Sequence, residues 1–210
     1  MWPKNEETQE LLVGAEEGDP DAVNRLFERH RAAVRRMIDL RMDRQLTRRV
    51  DASDIVQDVL IEANRRLADY LKNPVMPFHL WLRQMAQDRL IDAHRRHRQA
   101  AKRSLDREQP LVARGGLDQS TMNLVAELRD GERTPASQAA WNELQLQFVA
   151  AIDRLEDQDR EVVLMRHFEK LSNSEVAETL NLTPPAASMR YLRAVRRLKA
   201  ILSGEERSKE

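Results

Sequence analysis

Between positions 19 and 114 the chain contains no glycine, and between 19 and 98 it has proline only at 20, 74 and 77. So long a stretch without the residues that punctuate turns, and rich in Arg, Leu, Ala and Glu, favours helix, and no Asn-Gly or Asp-Gly hairpin turn falls within it. Asp19-Pro20 reads as a cap followed by proline at the first helical position, where its missing N–H costs nothing. Val23, Leu26, Phe27, His30, Val34, Met37 and Ile38 then recur at helical spacing. Asp51 can cap a second long helix, with Asp54 placed favourably for the helix dipole. Residues 72–77 (KNPVMP) interrupt, and Phe78, Trp81, Leu82 and Met85 follow at i, i+3, i+4 and i+7, a core stripe.

Residues 99–137 change character. Gly115-Gly116, Gly131, Thr134-Pro135 and a balance of six basic and six acidic residues predict a flexible linker, with a short helix possible at 120–128. From Trp141 to Leu202 apolar periodicity returns. The chain therefore reads as all-α: two small helical bundles, residues 1–98 and 138–204, joined by that linker and followed by a tail at 205–210. Lys and Arg number 35 against 35 Asp and Glu, so any binding of nucleic acid must come from local clustering. Absence of cysteine excludes disulfides, thiolate zinc sites and thiol sensing. No apolar run approaches the roughly 20 residues of a membrane span, and the acidic start lacks a signal peptide's pattern. A soluble, cytoplasmic protein without membrane insertion is expected.

Ser172 and Glu175 have the spacing of a capping box that starts a helix at 173–180. Thr183 can cap the next, with Pro184 and Pro185 at its first two positions. With a further helix expected at 157–170, the spacing is that of a helix-turn-helix. At 100° per residue, Ala187, Tyr191, Ala194, Val195, Leu198, Ile201 and Leu202 share one arc of the last helix. Arg190, Arg193, Arg196 and Arg197 are expected on the opposite one, an all-basic outer face suited to a major groove. A solvated amphipathic helix would show the same apolar arc, but would carry Glu partners on its outer face.

A second basic helix precedes the linker. Residues 83–103 hold Arg83, Arg89, Arg95, Arg96, Arg98, Lys102 and Arg103 against Asp88 and Asp92. Residues 51–63, DASDIVQDVLIEA, resemble the D-A-E-D-L-V-Q-E-x-F signature of the extracytoplasmic-function sigma factors at Asp51, Ala52, Asp54, Val56 and Gln57. Residues 78–96 are similar to that family's F-x-x-W-L helix at Phe78, Trp81, Leu82, Ala86, Asp92, Arg95 and Arg96. GDPDAVNRLFERH (18–30) is similar to its opening helix. Arg160, Glu161, Val162, Ser172, Glu175, Val176, Ala177, Glu178, Leu180, Arg190, Arg193 and Ala194 match its C-terminal pattern. The four motifs occur in the family's order.

The resemblance implies a promoter-specificity subunit of bacterial RNA polymerase that performs no chemistry, uses no cofactor or metal, and partners core polymerase and promoter DNA. Asp51, Asp54, Gln57 and Asp58 would meet the polymerase clamp. Lys72, Asn73, Val75, Met76 and Phe78 would hold an extruded base of the melted minus-ten element, with Arg89, Arg95, Arg96 and Arg98 on its phosphates. Thr183, Ala186, Ser188 and the four arginines of the last helix would read the minus-thirty-five element. The linker would thread the polymerase's RNA exit path, and an anti-sigma protein is the expected regulator. The alternatives are a stand-alone helix-turn-helix regulator whose first domain senses a ligand or dimerises, which leaves the motif at 51–63 and the basic helix from Phe78 without a purpose, and a polymerase-binding decoy.

Three positions depart from the pattern. Ser53 stands where glutamate is usual; serine is comfortable in a first helical turn, so the change reads first as drift, and the sharper alternative is a phosphorylation that restores the missing charge. Asp88 replaces asparagine, and pairing with a neighbouring arginine would explain it. Ser188-Met189 replaces a Lys-Ser pair, leaving base preference open. His94 and His97, at i and i+3, lack an evident third ligand and read as surface groups.

Overall fold

A computed structural model describes residues 1–3, 5–42, 44–47, 49–101 and 138–203, with the side chains of 44, 45, 97–101, 138–142, 144 and 145 left aside. Every described element is helical. Of the expected linker only residues 99–101 are described. They continue the helix before it, and the rest of the linker and the tail lie outside the described residues. The chain divides into two units, Met1–Gln109 and Pro110–Glu210.

The first unit contains α1 (Asn5–Glu16), α2 (Pro20–Asp39), the short α3 (Arg44–Thr47), α4 (Ala52–Lys72) and α5 (Phe78–Ala101). As the sequence predicts, Asp19 caps α2, its carboxylate accepting from the Asp21 N–H at 2.9 Å, with Pro20 at the first position. Asp51 caps α4 in the same way through the Ser53 N–H at 2.8 Å. The apolar stripes of α2, α4 and α5 face one another; Leu26, Val34, Met37, Ile38, Val59, Ala63, Phe78, Leu82 and Ala86 are all within 1% of complete burial. Helix α1, which the sequence reading leaves out, lies on α2 and α4. Gly14 permits the close approach: a Cβ there would stand 2.8 Å from that of Ala22. Gly18, at φ +84°, makes the turn between the two helices.

In the second unit α6 (Gln138–Asp153), α7 (Asp157–Val163), a π-helical segment (Leu164–Phe168), α8 (Asn173–Thr179) and α9 (Pro184–Ser203) surround a core of Phe148, Ile152, Leu155, Val163, Leu164, Ala194 and Leu198. The expected single helix at 157–170 is corrected here. After Val163 the turns widen, with the Glu169 N–H bonded to the Leu164 carbonyl at 3.1 Å, and Lys170 takes φ +60°. Val162, Val163, Leu164 and Met165 are all buried. Four successive residues span roughly 300° of a regular helix, more than one face, so a wider turn serves to bring all four inward.

His30 sits at the centre of the first unit. It is fully buried, its Nε2 lies 3.2 Å from the Thr8 hydroxyl on α1, and the rings of Trp2 and Phe78 flank it. Burial, and then the proximity of His79 and Arg29, pushes its pKa down to about 4. Below pH 6.5 the unfolded chain takes up a proton that the folded imidazole refuses until about pH 4. Stability is therefore full at neutral pH and falls by about 3 kcal/mol as pH drops through that window. Denaturant titrations of the full chain at pH 7 and pH 4, followed by tryptophan fluorescence, measure the loss. The neutral His30→Gln variant is expected to show a correspondingly smaller pH dependence than the parent.

Candidate nucleic-acid interface

Helix α4 buries Ile55, Val56, Val59 and Leu60 and turns Asp54, Gln57 and Asp58 outward. Its first turn is less open than the sequence suggests. Arg35 on α2 donates to the Ser53 hydroxyl, and its guanidinium lies 3.8 Å from Asp51 and 3.4 Å from Asp39. Asp51 and Ser53 are therefore engaged within the unit, whereas Asp54, Gln57 and Asp58 present an acidic and amide edge. Beside that edge a shallow groove of about 580 Å³ runs between α2 and α4, lined by Phe27, Leu60, Ile61 and Gln57 among others.

The connection between α4 and α5 is held at both ends. The Asn73 N–H bonds the Tyr70 carbonyl at 3.2 Å, and the Pro77 carbonyl accepts from Leu80 and Trp81 at 2.9 and 3.1 Å. In the middle, the Tyr70 hydroxyl donates to the Met76 carbonyl at 2.9 Å. Burial raises the pKa of this phenol, keeping it a donor. Lys72, Asn73 and Val75 are exposed, Val75 by 69%, and Met76 is half-buried. Phe78 is a correction: expected at the mouth of a base pocket, it is 1% exposed and in ring contact with Phe27, His30, Tyr70 and Trp81. It supports the loop from beneath and offers no surface to a ligand. Trp81, expected in the core, is half-buried, its ring 4.6 Å from that of Tyr70.

Along α5 the basic residues divide. Arg95 and Arg96 are exposed, and the Arg96 Nε donates to the Asp92 carbonyl at 3.3 Å. Arg83 is buried, and Arg89 is half-buried and paired with Glu62 of α4 at 3.3 Å, so neither adds much to the basic surface. The Arg98 side chain lies outside those described, as do Lys102 and Arg103. Asp88 is exposed, and no ion pair joins it to a described residue.

In the second unit the capping box is complete: the Ser172 hydroxyl accepts from Glu175 N–H at 3.2 Å, and the Glu175 carboxylate accepts from Ser172 N–H at 2.7 Å. Helix α8 ends in a left-handed residue, Asn181 at φ +53°, with Leu182 N–H on the Ala177 carbonyl at 2.8 Å and Asn181 N–H on that of Glu178 at 3.2 Å. Thr183 then caps α9 through the Ala186 N–H at 3.3 Å, and the Asn173 amide donates to the Pro184 carbonyl at 2.9 Å, tying the two helices together. The Tyr191 hydroxyl is bonded to His167 at 2.7 Å, and the Arg166 guanidinium lies over its ring.

The outer face of α9 differs from the expectation. Ala187, Ala194, Leu198 and Ile201 are buried, with Tyr191, Val195 and Leu202 half-buried beside them. Arg193, Arg196 and Arg197 are exposed, but Arg190 and Ser188 are only half-exposed. Arg197 is paired with Glu156 at 2.7 Å, so an acid does meet this face, from a neighbouring element. Met189 and Leu192, absent from the expected site, stand out with 57% and 44% exposure. Stepping 100° per residue from the buried Ala187 already places both near the far side and Arg190 on a flank.

Two family models match the chain, in this order: Sigma-70 region 2 over residues 26–100 and Sigma-70, region 4 over residues 145–198. Together they cover well over half of it. The ECF RNA polymerase sigma factor BldN of Streptomyces coelicolor is 24% identical over 198 residues, spanning 94% of this chain and 67% of that protein. Among solved structures, CnrH in complex with the cytosolic domain of CnrY superposes with a TM-score of 0.61 at 22% identity, over 95% of this chain and 99% of that one. The sigma factor RpoE in complex with the anti-sigma factor NepR from Bartonella quintana gives 0.53 at 17% identity, over 82% and 90%. Both share the fold.

The Tyr70–Met76 bond is a local test of how firmly the α4–α5 connection is held. Tyr70→Phe keeps the ring contacts and removes the donor. It is expected to cost about 1 kcal/mol of stability and to speed amide hydrogen exchange at residues 75 and 76 more than in the helices on either side.

Proposed function

This chain belongs to the sigma-70 family of RNA polymerase specificity subunits, and on that footing we propose how its two units divide the work of promoter recognition. It is a sigma factor: it binds core polymerase and promoter DNA and takes part in transcription initiation. In our reading Asp54, Gln57 and Asp58, on the exposed edge of α4, dock on basic side chains of the polymerase clamp. Asp51 and Ser53 serve chiefly to start α4, held by Arg35. A phosphate added to Ser53 would find that guanidinium already in contact, and its remaining charge would strengthen the docking edge.

The connection after α4 takes one unstacked base of the minus-ten element. Val75 and Met76 supply apolar contact, and Lys72 and Asn73 polar contact, while the phenol of Tyr70 fixes the backbone between them. Arg95 and Arg96 lie on the strand's phosphates, with Arg98 continuing the helix toward them. Extrusion of a base costs a few kcal/mol, which a loop already held in shape can offset without a further ordering penalty. Helix α9 enters the major groove of the minus-thirty-five element, capped by Thr183 and leading with Ala186 and Ser188. Arg193 and Arg196 meet phosphates, Arg190 approaches from the flank, and Arg197 joins them only on leaving Glu156. The chain is not an enzyme in this reading; polymerase performs the chemistry, in the cytoplasm. An anti-sigma protein, of the kind in complex with RpoE, is the regulator this fold would accept.

The observation that supports the reading is the presence in one chain of a braced, partly apolar loop after α4 and a capped helix, α9, with no acidic residue of its own. With 35 basic and 35 acidic residues, neither surface has a global field to help it. The free chain therefore binds DNA weakly, and polymerase must hold the two surfaces to one promoter. Purified chain mixed with core polymerase and a promoter library is expected to initiate from two-part promoters. Operator binding without polymerase would instead support a stand-alone regulator, and polymerase binding without initiation a decoy. Replacing both Asp54 and Gln57 by alanine is expected to weaken core-polymerase binding about tenfold and to leave the full chain's own affinity for upstream duplex unchanged, both read by fluorescence anisotropy.

A further inference from the structure

The exposed apolar residues of α9 are not phosphate-binding groups, and the described residues of the second unit leave them exposed. Pro185, Met189, Leu192 and Arg196 follow one another at i, i+4, i+7 and i+11, a single line down the outermost side of the helix. Met189 is 57% exposed and Leu192 44%. The front of the helix is poor in groups that could address base edges. Positions 184–187 are Pro, Pro, Ala and Ala, the Thr183 hydroxyl already accepts from the Ala186 N–H, and one N–H of the Asn173 amide is given to the Pro184 carbonyl. Ser188 and Arg190 are half-buried.

We propose that Met189 and Leu192 are specificity-determining residues that read the C5-methyl groups of thymines in the upstream promoter element. The inference rests on α9 being the helix that enters that element's major groove. Helix α9 carries five basic residues (Arg190, Arg193, Arg196, Arg197 and Lys199) and no acid, so the surface around the stripe calls for a polyanion. On the floor of a major groove the apolar feature is the thymine methyl. Docking the outer line of the helix there brings Met189 and Leu192 against the base edges and sets Arg193 and Arg196 toward the backbones. Methionine's unbranched, polarizable side chain can follow a methyl through small changes in docking angle. The element is then distinguished by where its thymines lie more than by guanines bound through arginine forks.

Uracil differs from thymine by the methyl alone, which makes the test atom-specific. A promoter selected from a random library by the holoenzyme is rebuilt with each upstream thymine, on either strand, replaced in turn by uracil. One or two positions are expected to lower initiation about fourfold each. Met189→Ala or Leu192→Ala is expected to lower initiation from the thymine template and to abolish the uracil effect at one of those positions. Both side chains are exposed, so melting of the second unit should stay unchanged. Indifference to uracil at every position overturns the inference while normal initiation leaves the sigma reading intact. A uracil effect that persists undiminished in both variants also overturns it, because the methyl then acts through DNA shape. Alanine variants fully active on thymine templates would assign the stripe to a protein partner and overturn it likewise. Failure of the chain to direct initiation from any template would remove the reading of α9 as well.

Discussion

The burial of Phe78 is the constraint on which the first unit depends. Four of the chain's eight other aromatic residues, Trp2, Phe27, Tyr70 and Trp81, gather around it or one ring away, with His30. Burying one such ring contributes about 1.5–3 kcal/mol, and each edge-to-face or offset pair roughly another 0.5–1.5. The cluster joins α2, the end of α4 and the start of α5, so the residues between those last two helices have both ends fixed. Tyr70 then carries the rigidity outward, from a ring inside the cluster to a hydroxyl on the Met76 carbonyl. The connection between α4 and α5 is short, largely exposed and held in shape by the core beneath it.

Charge is allotted by the same economy. Arg29 meets Glu7, Arg35 meets Asp39 and Asp51, Arg89 meets Glu62, and Arg197 meets Glu156. These pairs are mostly exposed and contribute little each, but they orient helices and remove cations from the surface that DNA would see. On α5 and α9, the exposed arginines without an ion pair to a described residue are Arg95 and Arg96 on the first and Arg193 and Arg196 on the second. In the proposed reading, a few phosphate contacts on each unit would give modest, salt-sensitive affinity, as suits a subunit that polymerase must align on its promoter.

What the amino-acid sequence reveals and what it conceals follow from how local each interaction is. Asp19-Pro20, Ser172 with Glu175, and Thr183 before two prolines are caps whose partners lie within three residues, and each forms as its spacing predicts. Phe78 shares its helical stripe with true core residues and also sits beside the loop; choosing between pocket and core requires knowing that Phe27, Tyr70 and Trp81 surround it. The π segment after Val163 is non-local for the same reason, since only packing rewards turning four successive apolar residues inward. Helix α1 is short and acidic, and much of what holds it lies on α2, at His30, Arg29 and Ala22. Met189 and Leu192 are legible by angle alone, although the arginines that alternate with them form the more conspicuous pattern.

Two DNA-facing surfaces of different character, one for a melted strand and one for a duplex, held by one polymerase, make up the central claim. Site-specific photo-crosslinking in the holoenzyme–promoter complex addresses both at once, with the probe at Val75 in one preparation and at Leu192 in the other. The account predicts that the Val75 probe joins the melted minus-ten strand only after opening, and that the Leu192 probe joins upstream duplex before and after it. Crosslinks from both positions to polymerase, with none to DNA, would contradict it.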